Sequence, residues 1–300
     1  PRSTPAVSGD VVVALGALGD LAAFDVVDGG ELWRVPLLEM SGGRREDWGF
    51  ASSPLISGDR VYVHGAPGVS ALAVSLGDGE VLWRLDVGPG GYSSPRLLEI
   101  DGRRQLVSFL GAGLFGLDPA TGDVLWRFDY STFYDLHAAD PLPVAPGQLF
   151  ISSGYATGAA LVEVAGGEAR ALWRSPRVRN HWSSSVELGG TIYGFDKTFL
   201  IAVDPATGDV LWKERGFGEG SLLALDGGGD GDALLIAGED GDIALASASR
   251  EGYRELGSYV LGIEGPVRTA PVLVSGLLFV RGKDELVALD WAAESSLAPQ

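Results

Sequence analysis

Ala202-Val-Asp-Pro-Ala-Thr-Gly-Asp-Val-Leu-Trp212 is the stretch on which the fold turns. An Asp followed by Pro-Ala-Thr-Gly reads as a tight turn, because Asp side chains close such turns and Gly accepts positive φ. Apolar β-formers flank it on both sides, so the segment predicts strand, turn, strand. The pattern returns at Ala23 to Trp33, Ala73 to Trp83, Gly116 to Trp126 (Gly in place of the first Ala) and, more loosely, Glu163 to Trp173. Successive Trp residues are 50, 43, 47 and 39 positions apart. Two degenerate copies follow, Ala244 with Leu256 and Ala288 to Asp290. Seven units of about forty residues match the period of propeller blades.

A second element precedes each unit. Ser3-Thr4-Pro5, Ser52-Ser53-Pro54 and Ala270-Pro271 each open a run of strand, Gly turn and strand, and Ser93-Ser94-Pro95 and Ser183-Ser184-Ser185 open it elsewhere. Helical periodicity is missing. Four antiparallel strands repeated seven times predict an all-β β-propeller. It is read as a single domain over 1–300, with blades near 1–38, 50–88, 92–130, 139–176, 182–215, 219–260 and 268–291. The last blade lacks an outer strand, because Asp290 is followed by Trp291-Ala-Ala-Glu and no Val-Leu-Trp. That leaves either a seven-bladed ring with an incomplete closing blade or an arc of an eight-bladed parent, with an open edge able to associate. Trp33, Trp83, Trp126, Trp173 and Trp212 are expected to be structural, each ring lying across the Gly turn of the neighbouring blade. Such a ring removes about 150–250 Å² from water.

Composition narrows the function. The formal charge of −18 disfavours phosphate backbones, so no nucleic-acid partner is expected. No window supplies 18 uninterrupted apolar residues, so no transmembrane segment is expected. The absence of Cys excludes disulfides, thiolate nucleophiles and Cys-type zinc sites. The chain opens at Pro1 without a leader, which is expected of a processed form or a fragment.

The repeat Ala202 to Trp212 resembles the tryptophan-docking motif of the pyrroloquinoline-quinone (PQQ) repeat propellers. That family includes quinoprotein alcohol dehydrogenases and outer-membrane assembly lipoproteins of the BamB type. The resemblance runs over nearly the whole chain and implies a bacterial protein of the periplasm or cell envelope. For the dehydrogenases it would further imply calcium beside the quinone, carboxylate ligands, a catalytic Asp and often adjacent Cys. This chain is about half their expected size and has no Cys, and no residue matches the catalytic Asp. The motif concerns blade packing, so no cofactor is expected, with PQQ and calcium as the alternative.

Strand order separates two ends. The Gly-Asp and Thr-Gly-Asp turns carry interchangeable Asp residues. The other loops carry Trp48, Tyr92, Tyr134, His137, Arg177, Arg179, Asn180, His181, Trp182, Lys197, Phe217 and Arg268, with Arg44 and Arg45 offset by Glu46 and Asp47. Aromatic and Arg enrichment on loops is the composition of a binding surface. Of these, Trp48, Tyr92, His137, Asn180, His181, Trp182, Lys197 and Arg268 form the candidate binding set. His64, His137 and His181 come from different blades, and only the last two are expected near each other; no metal site is assigned. Ser183 and Ser184 after His181 lack a third catalytic group. Asp226 to Asp232 lacks the terminal Glu of a calcium loop, and Lys197 is expected to pair with Asp196. The leading expectation is a non-catalytic scaffold that binds a protein or an extended ligand through this loop face. The alternatives are a quinone- and calcium-dependent oxidoreductase, or its remnant, and a saccharide-binding propeller.

Overall fold

The computed structural model describes residues 3–227 and 231–291. Seven antiparallel sheets span 6–36, 55–85, 96–129, 142–175, 186–214, 221–260 and 272–290. The first six have four strands in sequential order, and the seventh has three among the described residues. The fold is the β-propeller. The one helix among the described residues is the four-residue Leu37–Met40, which the sequence pattern did not foretell. The chain divides into two compact units. One comprises Pro1–Pro141, Ala145–Ile151 and Val162–Leu172; the other comprises Leu142–Val144, Ser152–Leu161 and Trp173–Gln300.

In the second to fifth sheets the second and third strands are largely buried on both faces, as in Thr191–Asp196 and Val69–Ser75, which explains their weak alternation. Fourth strands alternate in the first sheet, where only Trp33 and Val35 of Glu31–Pro36 are buried, and in the fourth, Glu168–Ser175, whereas Glu255–Val260 of the sixth is exposed throughout. The repeat's turn follows the same plan in each full copy. Asp118 N–H donates to Asp123 O, Gly122 N–H returns to Asp118 O, and the Asp118 carboxylate accepts Ala120 N–H at 2.7 Å. Asp204 does the same with Asp209, Gly208 and Ala206. A bulge falls just before that position (Asp25, Ser75, Asp118 and Asp204) in the first, second, third and fifth sheets, so the motif fixes a local twist as well as a turn.

The Trp residues show why Gly recurs in that turn. Trp33 Nε1–H donates to Leu76 O at 2.8 Å, and a Cβ on Gly79 would lie 2.9 Å from its ring. Trp83 repeats this with Pro119 O (3.1 Å) and Gly122 (2.6 Å), and Trp173 with Pro205 O (2.8 Å) and Gly208 (2.6 Å). Trp212 Nε1–H donates to Ser249 O at 2.8 Å. Each Gly therefore meets two demands, since Gly79, Gly122 and Gly208 also have φ of 74°, 78° and 76°.

Trp126 departs from the expected arrangement. Its Nε1–H donates to Gln105 Oε1 at 2.6 Å within its own sheet, and its ring covers Gly116, where a Cβ would lie 2.1 Å away. The next sheet offers Gly166-Gly167 in place of a Pro-Ala-Thr-Gly turn, so the indole folds back. That is why Gly116 stands where the first, second and fifth copies carry Ala23, Ala73 and Ala202.

The Ser-Pro openings have a physical role in the first unit. Thr4 N–H donates to Ser53 Oγ (3.0 Å), Ser53 N–H to Ser94 Oγ (3.0 Å), and Ser94 N–H to Asp140 Oδ1 (2.7 Å). Each sheet thus hands one backbone donor to the next, at the residue preceding Pro. Burial raises the Asp140 carboxyl, against hydrogen bonding from Ser94 and the charge of Arg96.

Candidate functional site

The loop ends of the strands carry an aromatic cluster in each unit. In the first, Trp48 is 41% exposed and meets Tyr92 edge-on at 5.8 Å and Tyr134 at 6.4 Å. Phe133, which the sequence reading missed, is 85% exposed and packs edge-on against Tyr134 at 4.7 Å. Below them, Glu46 Oε1 accepts Gly90 N–H at 2.8 Å, and burial raises the Glu46 carboxyl despite that bond. Arg44 folds back on its own loop, its Nε–H donating to Ser41 O at 3.0 Å. The loop is thereby tied down at both ends.

His137 does not belong to the exposed set. It is fully buried, its ring stacked on Phe109 at 4.1 Å and its Nδ1 2.8 Å from Leu110 O. His64 is likewise buried, with Nδ1 2.8 Å from Ser93 O. Desolvation pushes both imidazoles down to about 4. They are core groups, sealed beneath the loops that the sequence reading grouped with them.

The second unit holds the better-built surface. The indole of Trp182 stacks on His181 at 3.8 Å, and the Arg268 guanidinium lies 4.6 Å from the Trp182 ring. Arg268 Nη2–H donates to Glu239 Oε1 at 2.8 Å, and its Nη1 lies 3.7 Å from Glu219 Oε2. Glu219 Oε1 is 3.2 Å from His181 Nδ1, and its own N–H donates to Glu239 Oε2 at 3.1 Å. Tyr155 closes the group, edge-on to His181 at 5.1 Å. Stacking and two carboxylates fix Arg268 in place, so little rotamer freedom remains to be lost on binding.

Asn180 is buried and offers nothing to a partner directly. Its N–H donates to Ser152 Oγ (2.9 Å), and its Nδ2 donates to Ser183 O (3.0 Å) and Ser185 Oγ (2.8 Å). It braces the turn that presents His181 and Trp182. Ser183 is thereby a backbone acceptor in a turn, and no nucleophile–base pair forms with His181. Phe217 is also buried, edge-on to Tyr253.

Lys197 does not pair with Asp196. Asp196 is buried and binds Arg179 in two bonds (2.8 and 3.1 Å) and Lys213 Nζ at 2.8 Å. Burial raises that carboxyl, but the Arg179 and Lys213 bonds outweigh it and hold it below the usual carboxylate range. Lys197 stands exposed at φ 56° in the adjacent hairpin.

Glu219, Glu239 and Tyr155 escaped sequence reasoning because acidic residues in Gly-rich loops read as solvated turns. Strand order alone puts Glu219 and Glu239 at the same loop ends as Arg268, which is the signal that marks them. The segment Asp226 to Asp232, which lacks the pattern of a calcium loop, lies partly outside the described residues. Among the described residues, no three His, Asp or Glu side chains converge as a cation site, and no helix is long and apolar enough to cross a membrane.

Sheets of this topology carrying this repeat define a β-propeller of the PQQ-repeat class. The family model described as outer membrane protein assembly factor BamB matches residues 1–214, and the chain belongs to that family. Among solved structures, the crystal structure of BamB from Moraxella catarrhalis is 20% identical with a TM-score of 0.70, covering 93% of this chain and 81% of that one. A computationally designed protein, Ika8, is 14% identical with a TM-score of 0.64, covering 97% and 85%. At these identities the likeness is one of fold. None of the curated proteins matches the chain.

Proposed function

We propose that the chain is a non-catalytic, protein-binding scaffold of the bacterial cell envelope, and that its loop ends carry the docking surface. The observation that supports this most is the pre-ordered His181–Trp182–Arg268 stack, with Trp182 38% and Arg268 46% exposed. Trp and Arg held rigid at a surface are the residues that dominate binding energy in protein interfaces. Membership of the BamB family favours a protein partner and an envelope location. The Trp48–Tyr134–Phe133 cluster is a second contact region of the same reading.

Capture of envelope proteins by the immobilised chain tests the main reading. Trp182→Ala and Arg268→Ala should each weaken the captured complex by at least tenfold, about 1.4 kcal/mol, while leaving the melting curve in place. Retention of full capture by the double variant removes the surface. Quinone with calcium should leave the melting curve unchanged. A cofactor at a hundred times its dissociation constant would add about 2.7 kcal/mol, and such a gain would restore the oxidoreductase reading.

A further inference from the structure

At the turn ends of the first unit, away from the loops, a cavity of about 280 Å³ opens between the second and third sheets. Tyr62, Leu97 and Pro119 give it an apolar floor, and Arg60 and Arg104 stand at its sides. Arg60 Nη1–H donates to Ala120 O at 3.0 Å, and Arg104 Nη2–H donates to Ser57 Oγ at 3.1 Å. One hydrogen bond fixes each guanidinium, and each has further N–H donors to offer. The cavity's lining includes one acid, Asp59, against the two Arg residues; it lies 3.8 Å from Arg60 Nε with its side chain 92% exposed. Asp118 is engaged elsewhere, by Arg103 and Ala120 N–H. The cavity is thus locally cationic in a chain of formal charge −18.

The same gap exists in the second unit, and there it is filled. Trp83 donates to Pro119 O, and the next residue is Ala120; Trp212 donates to Ser249 O, and the next residue is Arg250. Tyr62 and Tyr193 occupy matching places, opposite Ala73 and Ala202 and 6.1 and 6.0 Å from their Trp rings. Arg250 reaches back across the gap. It donates to Gly190 O (3.0 Å), Thr191 Oγ1 (3.4 Å) and Asp204 Oδ2 (2.6 Å). Ala120 leaves its gap open, and Arg60 and Arg104 both line it.

We infer that this cavity is a binding site for a small organic anion, a carboxylate on a flat apolar body, held by Arg60 and Arg104 over the Tyr62–Leu97–Pro119 floor. Arg suits a carboxylate through its planar fork of donors. The volume is at the lower bound of small-molecule pockets, which restricts the ligand to about the size of one ring. The site is independent of the loop-end surface, and no partner protein enters its test.

Benzoate is the probe, titrated against the isotope-labelled chain while the amides of Gly58 and Ala120 and the Trp83 indole N–H are followed by NMR. Saturable shifts are expected with benzoate and not with neutral benzamide. Arg104→Gln should weaken benzoate at least tenfold, and Arg104→Lys should restore part of the loss. Ala120→Arg should close the cavity as Arg250 does and abolish the shifts with the fold retained. Three results overturn the site: no saturation with benzoate, equal saturation with benzamide, or an unaltered titration in Ala120→Arg. Inorganic phosphate binding as tightly as benzoate would overturn the role of the apolar floor.

Discussion

Trp83→Ala is expected to lower the free energy of unfolding by about 3–5 kcal/mol, measured by urea denaturation. The ring is 8% exposed, touches Tyr62 at 6.1 Å, and covers Gly122 closely enough that a methyl there would lie 2.6 Å from it. Truncation loses the buried area and the indole donor to Pro119 O. It also opens a gap between two sheets that backbone cannot collapse into. Gly122→Ala should be harmful as well, because φ of 78° disfavours any side chain and the methyl meets the ring. The two effects share one contact, so in the double variant they should add to less than their sum. A loss below about 1 kcal/mol for Trp83→Ala would mean that this ring does not bind the sheets together.

Trp126 separates the two roles that the repeat assigns to one residue. Its ring sits on Gly116 of its own sheet, and Gln105 accepts its N–H. Gly116→Ala should cost about 1–3 kcal/mol by overpacking. The same change combined with Trp126→Leu should be better tolerated than Gly116→Ala alone, since the methyl then has space. Urea midpoints of the three variants decide it. Equal losses from Gly116→Ala with and without the Trp would sink the explanation for that Gly.

The repeat's legibility follows from this chemistry. A turn that must accept positive φ and pass beneath an indole leaves few residue choices, so Asp, Gly and Trp recur and the blades can be counted. What the sequence concealed was where an indole goes when its usual seat is missing. Trp126 looks like its counterparts until the neighbouring hairpin is seen to turn through Gly166-Gly167 in place of the longer turn that receives Trp33, Trp83 and Trp173. Gly116 was the visible sign, a departure with a cause one strand away.

The loop surface was legible by type and not by burial. Trp48, Trp182 and Arg268 are exposed as their positions suggested, whereas His137 and Asn180, from the same loops, are buried braces. A loop that crosses the end of a sheet must satisfy its own backbone and cap the strands below, and polar side chains do that work as readily as they bind partners. Sequence position places a residue on a face. Only packing decides which way it turns.

The two buried imidazoles make the fold acid-sensitive. His64 and His137 each hold one ring nitrogen 2.8 Å from a backbone carbonyl, which sets the neutral tautomer with the proton on Nδ1. Nε2 of each is buried without a partner, so a second proton would place an unpaired charge in the core. Burial accordingly lowers both from 6.5 to about 4, against the opposing carbonyl bond. Between these limits the unfolded chain binds more protons than the folded one. The stabilisation is complete above pH 6.5 and disappears as pH falls towards 4. Each histidine accounts for about 3 kcal/mol of that loss, and together they approach the whole stability of an ordinary domain. Glu46 and Asp140, whose carboxyls are raised by burial, contribute with the opposite sign. They persist in the variants, so a difference measurement isolates the histidines. Urea unfolding from pH 7.5 to 4.5 should show stability falling steeply in the parent, less in His64→Asn or His137→Asn, and least in the pair. Asn keeps a donor near Nδ1, and any fixed loss from the smaller side chain shifts each curve without changing its slope. Equal slopes in the parent and the double variant would show that neither imidazole is held neutral in the core.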